Sequence, residues 1–281
     1  MLQDIAFGRL ENEFKVLAPE NGDRVVCIRR GEILLNRDGT LPTAEQILVC
    51  SSGWDRWEEQ GLRYVFRMEN ENYFLFMGIP GEAPAEFLWE KAWTLRQTMG
   101  KDRYFACMTA WHLYNWYASN RFCGRCGNPT VHDGKERMMR CPQCGNLIFP
   151  KISPAVIVGV TDGDKILLTK YAGRAFTRYA LIAGYTEIGE TMEQTVSREV
   201  IEEVGLKVKN IRYYKSQPWG VDGNVLMGFY CDLDGDGTVT LDEKELAVAE
   251  WHSRDNFPAE DDGISLTREM MRVFAEGKEP K

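Results

Sequence analysis

Three glutamates in one short segment have the spacing of a metal site. Glu199, Glu202 and Glu203 stand at positions i, i+3 and i+4, so a helix would project all three from one face. Like charges at that spacing repel, and helix stability alone does not explain them. Hard divalent cations between the carboxylates would explain them, because Mg²⁺ takes oxygen ligands and completes its shell with water and substrate phosphates. The alternative interpretation is a solvated acidic face.

The residues around these glutamates follow a longer pattern. Gly184 is followed after five residues by Glu190, and after seven more by Arg198-Glu-Val-Ile-Glu-Glu-Val-Gly205-Leu206. This resembles the Nudix box, G-x5-E-x7-R-E-U-x-E-E-x-G-U with U aliphatic, and matches it at every defined position. The resemblance implies a hydrolase of diphosphates linked to a nucleoside or similar group. It also implies an α/β fold, an α/β/α sandwich with a mixed sheet in which the box forms a loop, a helix and a loop.

Four of the eight cysteines form two pairs that predict a second metal site. Cys123 and Cys126, and then Cys141 and Cys144, are each C-x-x-C followed by glycine, with fourteen residues between the pairs. Two such knuckles place four thiolates around one zinc ion, which leaves no open position for catalysis. A redox motif is the alternative for a single pair. His132 lies between the pairs and could replace a sulfur.

Composition narrows the class of protein. The 281 residues are 44% hydrophobic and 27% charged with a net charge of −8, which is typical of one or two globular domains plus a small module. Without a basic run, DNA binding driven by charge is not expected, whereas contact with one RNA terminus stays open. No signal peptide and no apolar run of ~20 residues is visible, so we expect a cytoplasmic protein that does not span a membrane.

The remaining pattern predicts where helices and strands lie. The isolated cysteines Cys27, Cys50, Cys107 and Cys231 have the surroundings of small buried hydrophobes. Strand-like runs cover 24–28, 32–35, 46–50 and 73–77, and helical runs cover 86–99 and 103–119. After Pro150, strands are expected at 155–160 and 165–169 around a turn at 162–164. The box helix should begin after Thr191 and stop at Gly205.

A four-cysteine ribbon just before a Nudix domain resembles the NADH pyrophosphatase (NudC-like) branch of that family. The resemblance implies three parts: a β-rich α+β N-terminal domain over 1–118, the zinc ribbon over 119–150 and the Nudix domain over 151–281. It also implies a homodimer, and the aromatic run from Trp111 to Tyr117 is more aromatic than one helix face usually needs.

The same branch carries a marker past the box, S-Q-P-W-P-F-P-x-S, that is associated with dinucleotide substrates. Ser216-Gln217-Pro218-Trp219 matches its first half, while Gly220 to Asn224 replaces the second. Two glycines stand in place of rigid prolines, and an asparagine amide replaces a serine hydroxyl. Asn224 can still hydrogen-bond a ribose or an amide, although a loop with glycines is less preorganised.

The resemblance assigns roles to individual residues. The implied ligands of two or three Mg²⁺ or Mn²⁺ ions are Glu199, Glu202, Glu203, Glu245 and the Ala183 carbonyl. The implied substrate contacts, some of them supplied by a partner subunit, are Arg96, Glu136, Phe149, Tyr185, Gln217, Pro218, Trp219, Asn224 and Thr267. Tyr185 stands where the family has an aromatic that stacks on a base, and Phe149 departs from the family's tyrosine. Gly184, Glu190, Arg198 and Gly205 support the box.

The predicted reaction is hydrolysis of the diphosphate bond of NAD(H) to nicotinamide mononucleotide and AMP by a metal-activated water. Removal of NAD caps from RNA uses the same bond. The alternatives are a Nudix hydrolase of another nucleoside diphosphate derivative, such as ADP-ribose or a nucleoside-diphosphate sugar, and a nucleotide-binding regulator without turnover. Which carboxylate acts as general base is not assigned.

One further segment has the sequence pattern of a metal-binding loop. Asp232-x-Asp234-x-Asp236-Gly237-x5-Glu243 satisfies the EF-hand calcium-loop pattern. An EF-hand needs a helix on each side, whereas 225–231 has the pattern of a strand. An acidic surface turn is therefore the favoured interpretation.

Overall fold

The computed structural model describes residues 1–5, 9–50, 61–78, 85–173, 177–257 and 262–281, without the side chains of Cys50 and Asn256. These residues divide into two compact units. The C-terminal unit comprises Met1–Asp4, Ile152–Trp219 and Gly223–Lys281, and the N-terminal unit comprises Ile5–Lys151 and Gly220–Asp222. In the described part of the chain, no helix is long and apolar enough to cross a membrane.

In the ranges that the structure describes, the N-terminal unit has a six-stranded mixed sheet, a small sheet and three helices. In chain order its elements are β1 (Leu10–Glu11), β2 (Arg24–Arg29), β3 (Glu32–Asn36), α1 (Ala44–Cys50), β4 (Leu62–Met68), β5 (Glu71–Phe76), β6 (Phe87–Lys91), α2 (Leu95–Thr98), α3 (Lys101–Ser119), β7 (Val131–His132), β8 (Met139–Arg140) and β9 (Leu147–Ile148). The large sheet has the order β1-β4-β5-β2-β3-β6, and β7-β8-β9 form the small sheet of the cysteine segment.

Two sequence predictions in this unit are wrong. Residues 46–50 form the helix α1 and not a strand. Its start is a capping box, because Gln46 donates its N–H to the Thr43 hydroxyl at 3.3 Å and accepts from the Thr43 N–H at 2.9 Å. The first part of the predicted helix over 86–99 is the strand β6, because pairing with β3 satisfies its backbone. Only α2 remains of that helix.

The loop that departs from the dinucleotide marker has a close contact of its own. A Cβ atom at Gly220 would lie 2.2 Å from the Met108 carbonyl oxygen of α3. Only glycine permits this approach without displacement of the helix backbone. The loop therefore replaces proline rigidity with a tight fit against α3.

The C-terminal unit is built on a second mixed sheet. Its elements are β10 (Ser153–Asp162), β11 (Lys165–Tyr171), β12 (Ile182–Tyr185), α4 (Met192–Val204), β13 (Val208–Trp219), β14 (Asn224–Leu233), β15 (Leu246–Ser253), a 3₁₀ turn (Arg254–Asn256) and α5 (Leu266–Ala275). The order is β13-β14-β10-β11-β15, with β12 paired to β10. β14 runs parallel to β10, and the other pairs are antiparallel.

Alternation along β10 explains why the sheet has a helix on each face. Val156, Val158 and Val160 pack in one core cluster with the valines of α4. Ile157 belongs to a second cluster that contains Met270 and Phe274 of α5. Successive side chains of a strand point to opposite faces, so α4 and α5 cover opposite sides. This confirms the predicted α/β/α sandwich.

The box helix α4 begins and ends where its sequence predicts. Thr191 accepts a hydrogen bond from the Gln194 N–H at 3.2 Å, and the Gln194 side chain accepts from the Thr191 N–H at 2.8 Å. This capping box satisfies two donors that the first turn leaves free. At the other end Gly205 has φ +70°, the left-handed conformation that stops a helix and favours glycine.

The segment with the calcium-loop pattern is not an EF-hand. Asp232 lies within β14, and the next element after the loop is β15. Strands therefore stand where an EF-hand needs helices. Asp232 also accepts hydrogen bonds from Arg212 at 2.7 Å and from Asn210 at 3.0 Å. The aspartates form an acidic surface turn.

Candidate active site

Gly184 and Glu199 approach each other so closely that a Cβ atom at position 184 would overlap the Glu199 carboxylate. β12 pairs Gly184 with Val156 of β10, on the face that α4 covers. A Cβ atom at Gly184 would lie 1.9 Å from the Glu199 carboxyl carbon. The glycine thus allows the Glu199 carboxylate to rest directly on the backbone of β12 at Gly184.

An ion pair between two residues of the box, Arg198 and Glu190, supports this arrangement. Arg198 donates from Nε to Glu190 Oε1 at 2.7 Å and from Nη2 to Glu190 Oε2 at 3.0 Å. Two parallel bonds to one carboxylate fix its orientation as well as its position. Glu190 also accepts from the Glu187 N–H and the Thr195 hydroxyl. Arg198 is the largest cause that lowers the pKa of Glu190, to about 2.

The same guanidinium reaches the acidic face. Its Nη1 donates to Glu199 Oε1 at 2.8 Å and to Glu202 Oε2 at 2.9 Å, and its Nη2 donates to the Tyr185 carbonyl at 2.8 Å. Arg198 therefore offsets the repulsion between the neighbouring carboxylates. The hydrogen bond to Glu190 raises the pKa of Arg198 most, and the bonds to Glu202 and Glu199 raise it further, so Arg198 stays charged.

The charge of Glu245 acts on Glu199. Burial raises the pKa of Glu199, and the nearby charges of Glu202 and Glu245 raise it further. Glu199 and Glu203 are buried, whereas Glu202 and Glu245 are exposed. The predicted ligands are thus carboxylates and one carbonyl, an oxygen set that suits a hard divalent cation.

The four paired cysteines form the tightest cluster of metal-ligating atoms. In the ranges that the structure describes, they are the one group of three or more Cys, His, Asp or Glu with all ligand atoms within 4.8 Å of one another. The sulfurs of Cys123 and Cys144 are 3.7 Å apart, and those of Cys126 and Cys141 are 3.4 Å apart. Hydrogen bonds from Asn128 lower the pKa of the Cys126 thiol to about 6. The cluster fits a structural zinc ion.

The other sulfur and imidazole groups do not join this cluster. His132 is hydrogen-bonded to the Tyr117 hydroxyl at 3.0 Å, and burial lowers its pKa to about 4. The isolated cysteines Cys27, Cys107 and Cys231 are buried, and burial raises their pKa values. This agrees with the prediction that they are buried hydrophobes. The side chain of Cys50 lies outside the described residues.

Three predicted substrate residues meet at one end of the C-terminal sheet. Asn224 opposes Ser153 of β10 and Trp219 of β13, while Tyr185 opposes Ala155 of β10. Directly paired residues, and residues two apart on a strand, share a face. Trp219, Asn224 and Tyr185 therefore lie on one face of the sheet, with Asn224 between the two aromatic residues in strand order.

Gln217 has a different role from the one predicted. Its side chain is fully buried, and its amide donates to Ile264 O at 2.7 Å and accepts from the Leu266 N–H at 2.8 Å. It thus holds the start of α5 against β13. A direct contact between Gln217 and a substrate is not supported, because the side chain has no exposed surface.

The remaining predicted substrate residues have accessible surface. Pro218 is exposed on β13, and Thr267 is half-buried on α5. In the N-terminal unit, Arg96 lies half-buried on α2, Glu136 is exposed between β7 and β8, and Phe149 is 54% exposed after β9.

Sequence reasoning missed two features of the site. The Thr195 hydroxyl donates a hydrogen bond to Glu190 Oε2 at 2.9 Å. The signal in the sequence was the place of Thr195 one turn after the cap Thr191. The side chains of Tyr185 and Asn224 are hydrogen-bonded to each other. No local pattern signals that bond, because the two residues meet only through their common neighbour β10.

Known proteins share both parts of this arrangement. Residues 151–274 match the NUDIX domain family, and residues 118–149 match the NADH pyrophosphatase zinc ribbon domain. A protein of Chromobacterium violaceum is 34% identical over 91% of this chain and 92% of its own length. One of Stutzerimonas stutzeri is 35% identical over 77% of each chain. One of Klebsiella pneumoniae is 41% identical over 52% of this chain, a stretch that spans 56% of that relative. Each bears the name NAD-capped RNA hydrolase NudC.

Proposed function

The chain belongs to the NADH pyrophosphatase (NudC-like) family of Nudix hydrolases, and from that membership we propose that it hydrolyses the diphosphate bond of NAD(H) to nicotinamide mononucleotide and AMP. The observation that carries the proposal is the combination of a complete acidic box face with the zinc ribbon of this branch. The relatives' name supports the same bond at the 5′ end of an RNA, and we propose NAD-capped RNA as a second substrate.

The acidic face is the proposed catalytic metal site. The proposed ligands of two or three Mg²⁺ or Mn²⁺ ions are Glu199, Glu202, Glu203, Glu245 and the Ala183 carbonyl. When bound, such ions lower the pKa of a water molecule and neutralise charge on the phosphoryl oxygens. Glu199 must be deprotonated to serve as a ligand, and its position on Gly184 aims its carboxylate at the backbone of β12.

Arg198 and Glu190 hold the chain around this site. The pair fixes the loop before α4, and the bond from Arg198 to the Tyr185 carbonyl fixes the end of β12. Because Nη1 of Arg198 also binds Glu199 and Glu202, these two carboxylates share one cation in the free protein. The guanidinium offsets the repulsion between these two carboxylates and holds them close together.

The substrate is proposed to lie along Trp219, Asn224 and Tyr185, which share one face at one end of the C-terminal sheet. Tyr185 offers a ring for a base, and Trp219 and Pro218 wall one end of a dinucleotide. Arg96, Glu136, Phe149 and Thr267 complete the proposed contacts, and Gln217 supports them indirectly. We propose a homodimer in the cytoplasm in which a partner supplies some of these contacts, and the three parts 1–118, 119–150 and 151–281.

A substrate panel tests the reaction. We expect kcat/KM to be highest for NADH or NAD⁺, with NAD-capped RNA also cleaved, and lower for ADP-ribose and diadenosine diphosphate. The reason is that the nicotinamide end adds contacts that ADP-ribose lacks. A clear preference for ADP-ribose, or no cleavage of NADH at millimolar concentration, would reject the dinucleotide substrate while leaving diphosphate hydrolysis intact.

Light scattering tests the assembly. The chain has a mass of 32.2 kDa, and we expect twice that mass at micromolar concentration. Support comes from α3, where Trp111, His112, Leu113 and Tyr114 are all only partly buried within the described unit. A monomer mass at that concentration would contradict the dimer.

A further inference from the structure

The hydroxyl of Tyr185 is anchored by an amide that has almost no contact with solvent. It lies 3.3 Å from Asn224 Oδ1 and 3.2 Å from Asn224 Nδ2. Asn224 is 7% exposed, whereas Tyr185 is 55% exposed. A buried amide thus holds the tip of a side chain that is more than half exposed.

The same tyrosine is held at its other end. Its carbonyl accepts the bond from Nη2 of Arg198, which the ion pair with Glu190 fixes. The backbone of Tyr185 is therefore tied to the box, and its side chain is tied to the first residue of β14. An exposed ring free of these ties would lose rotamer freedom on binding a ligand, at a cost in affinity.

We propose that Asn224 is a positioning residue that fixes the Tyr185 ring as a platform for a planar base of the substrate. It acts through the tyrosine hydroxyl and does not itself contact the substrate. The proposal rests on the proposed function for the identity of that substrate. Asn224 takes over part of the preorganisation that the replaced second half of the dinucleotide marker would supply, because it orders the ring before binding.

A double-mutant cycle separates this role from a direct contact. The variants are Tyr185→Phe, which keeps the ring and removes the hydroxyl, Asn224→Leu, and both together. Each single change should raise KM for NADH about fivefold, the value of one hydrogen bond, with kcat unchanged. The double variant should be no worse than the worse single one, because both changes remove the same bond.

Binding without turnover supplies a second measurement. NADH fluorescence titrated without added Mg²⁺ or Mn²⁺ reports affinity when hydrolysis is stopped, and the dissociation constants should follow the same non-additive pattern. Tyr213→Phe is the matched control, since Tyr213 is 51% exposed on β13 of the same sheet. It should leave both KM and affinity unchanged.

Three results would overturn the positioning role. One is a double variant whose effect equals the product of the single effects. Another is a fall in kcat at constant KM. The third is an Asn224→Leu effect without any Tyr185→Phe effect, which would indicate direct contact with the substrate. Where Asn224→Leu does not fold, Asn224→Ser, the residue of the family marker, replaces it in the cycle.

The cycle also distinguishes this inference from the proposed substrate. It is run in parallel with ADP-ribose, which likewise presents a planar base. A protein that cleaves ADP-ribose and not NADH overturns the NAD(H) assignment, and the non-additive pattern in KM for ADP-ribose would still support the positioning role. Additive effects with both substrates would reject the positioning role and leave the diphosphatase activity in place.

Discussion

Arg198 and Glu190 form a two-bond ion pair, with N–O distances of 2.7 and 3.0 Å, that closes the loop in front of the box helix. The remaining nitrogen of the guanidinium spans Glu199 and Glu202. One arginine therefore couples the shape of the loop to the charge of the proposed metal site.

The pH dependence of stability tests the ion pair. The pKa of Glu190 is lowered to about 2, so the folded state binds fewer protons than the unfolded state in acid. The pair's contribution is therefore present above the ordinary carboxyl pKa and is lost as the pH falls toward 2. Glu190→Gln should lower the urea midpoint at pH 7, and the difference from wild type should shrink at pH 3. Glu243→Gln, an exposed glutamate in the acidic turn, is the control. A difference independent of pH would contradict the assignment.

Replacement of Glu203 tests the acidic face. Glu203→Gln removes one ligand charge from a buried position on α4 while keeping the size of the side chain. We expect diphosphatase kcat to fall about 10²-fold or more, with the melting temperature nearly unchanged. Glu193→Gln, exposed in the first turn of the same helix, should keep full activity. Near-normal turnover of Glu203→Gln at saturating Mg²⁺ would show that Glu203 is not a metal ligand.

Addition of a methyl group at Gly184 tests the contact between β12 and α4. Gly184→Ala would place a Cβ atom 1.9 Å from the Glu199 carboxyl carbon, so the carboxylate must move. We expect a larger loss of kcat than of stability, because a displaced ligand matters more to catalysis than to packing. Gly134→Ala, where a Cβ atom meets nothing within 4 Å, is the control. Unchanged kcat in Gly184→Ala would mean that Glu199 can move without consequence.

The zinc content tests the cysteine cluster. Elemental analysis of protein purified without added metal should find one zinc ion per chain, because four thiolates close a tetrahedral shell. Cys141→Ser should lower both the zinc content and the melting temperature, since structural zinc contributes directly to folding. Cys231→Ala, at a buried cysteine outside the cluster, should keep its zinc. A zinc ratio near zero with four titratable thiols would refute the site.

Local signals account for what the sequence predicted well. The box helix has a cap at Thr191, a stop at Gly205 and a spaced acidic face, and each is readable within a few residues. The helix α1 also had a local signal, Thr43-x-x-Gln46, which the apolar run after it concealed. The amphipathic helix α5 was not predicted, although its apolar residues repeat at helical spacing.

The features that could not be predicted from the sequence depend on pairing between strands that are distant along the chain. β6 is a strand because β3 lies beside it, and nothing within residues 87–91 states this. The bond between Tyr185 and Asn224 joins residues 39 positions apart that meet across β10. The site was therefore predictable as a set of residue types, but its internal contacts depend on strand order.

The fit of Gly220 against Met108 bears on how this loop could change during evolution. With 2.2 Å between an added Cβ atom and the Met108 carbonyl oxygen, any side chain at position 220 requires the backbone of α3 to shift. Return to the proline of the family marker is therefore not a one-step path. A proline at position 220 must be accompanied by changes in α3. The backbone at Met108 therefore restricts position 220 to glycine. Transplanting the proline-rich loop from a relative should fail unless the matching helix segment is transplanted with it.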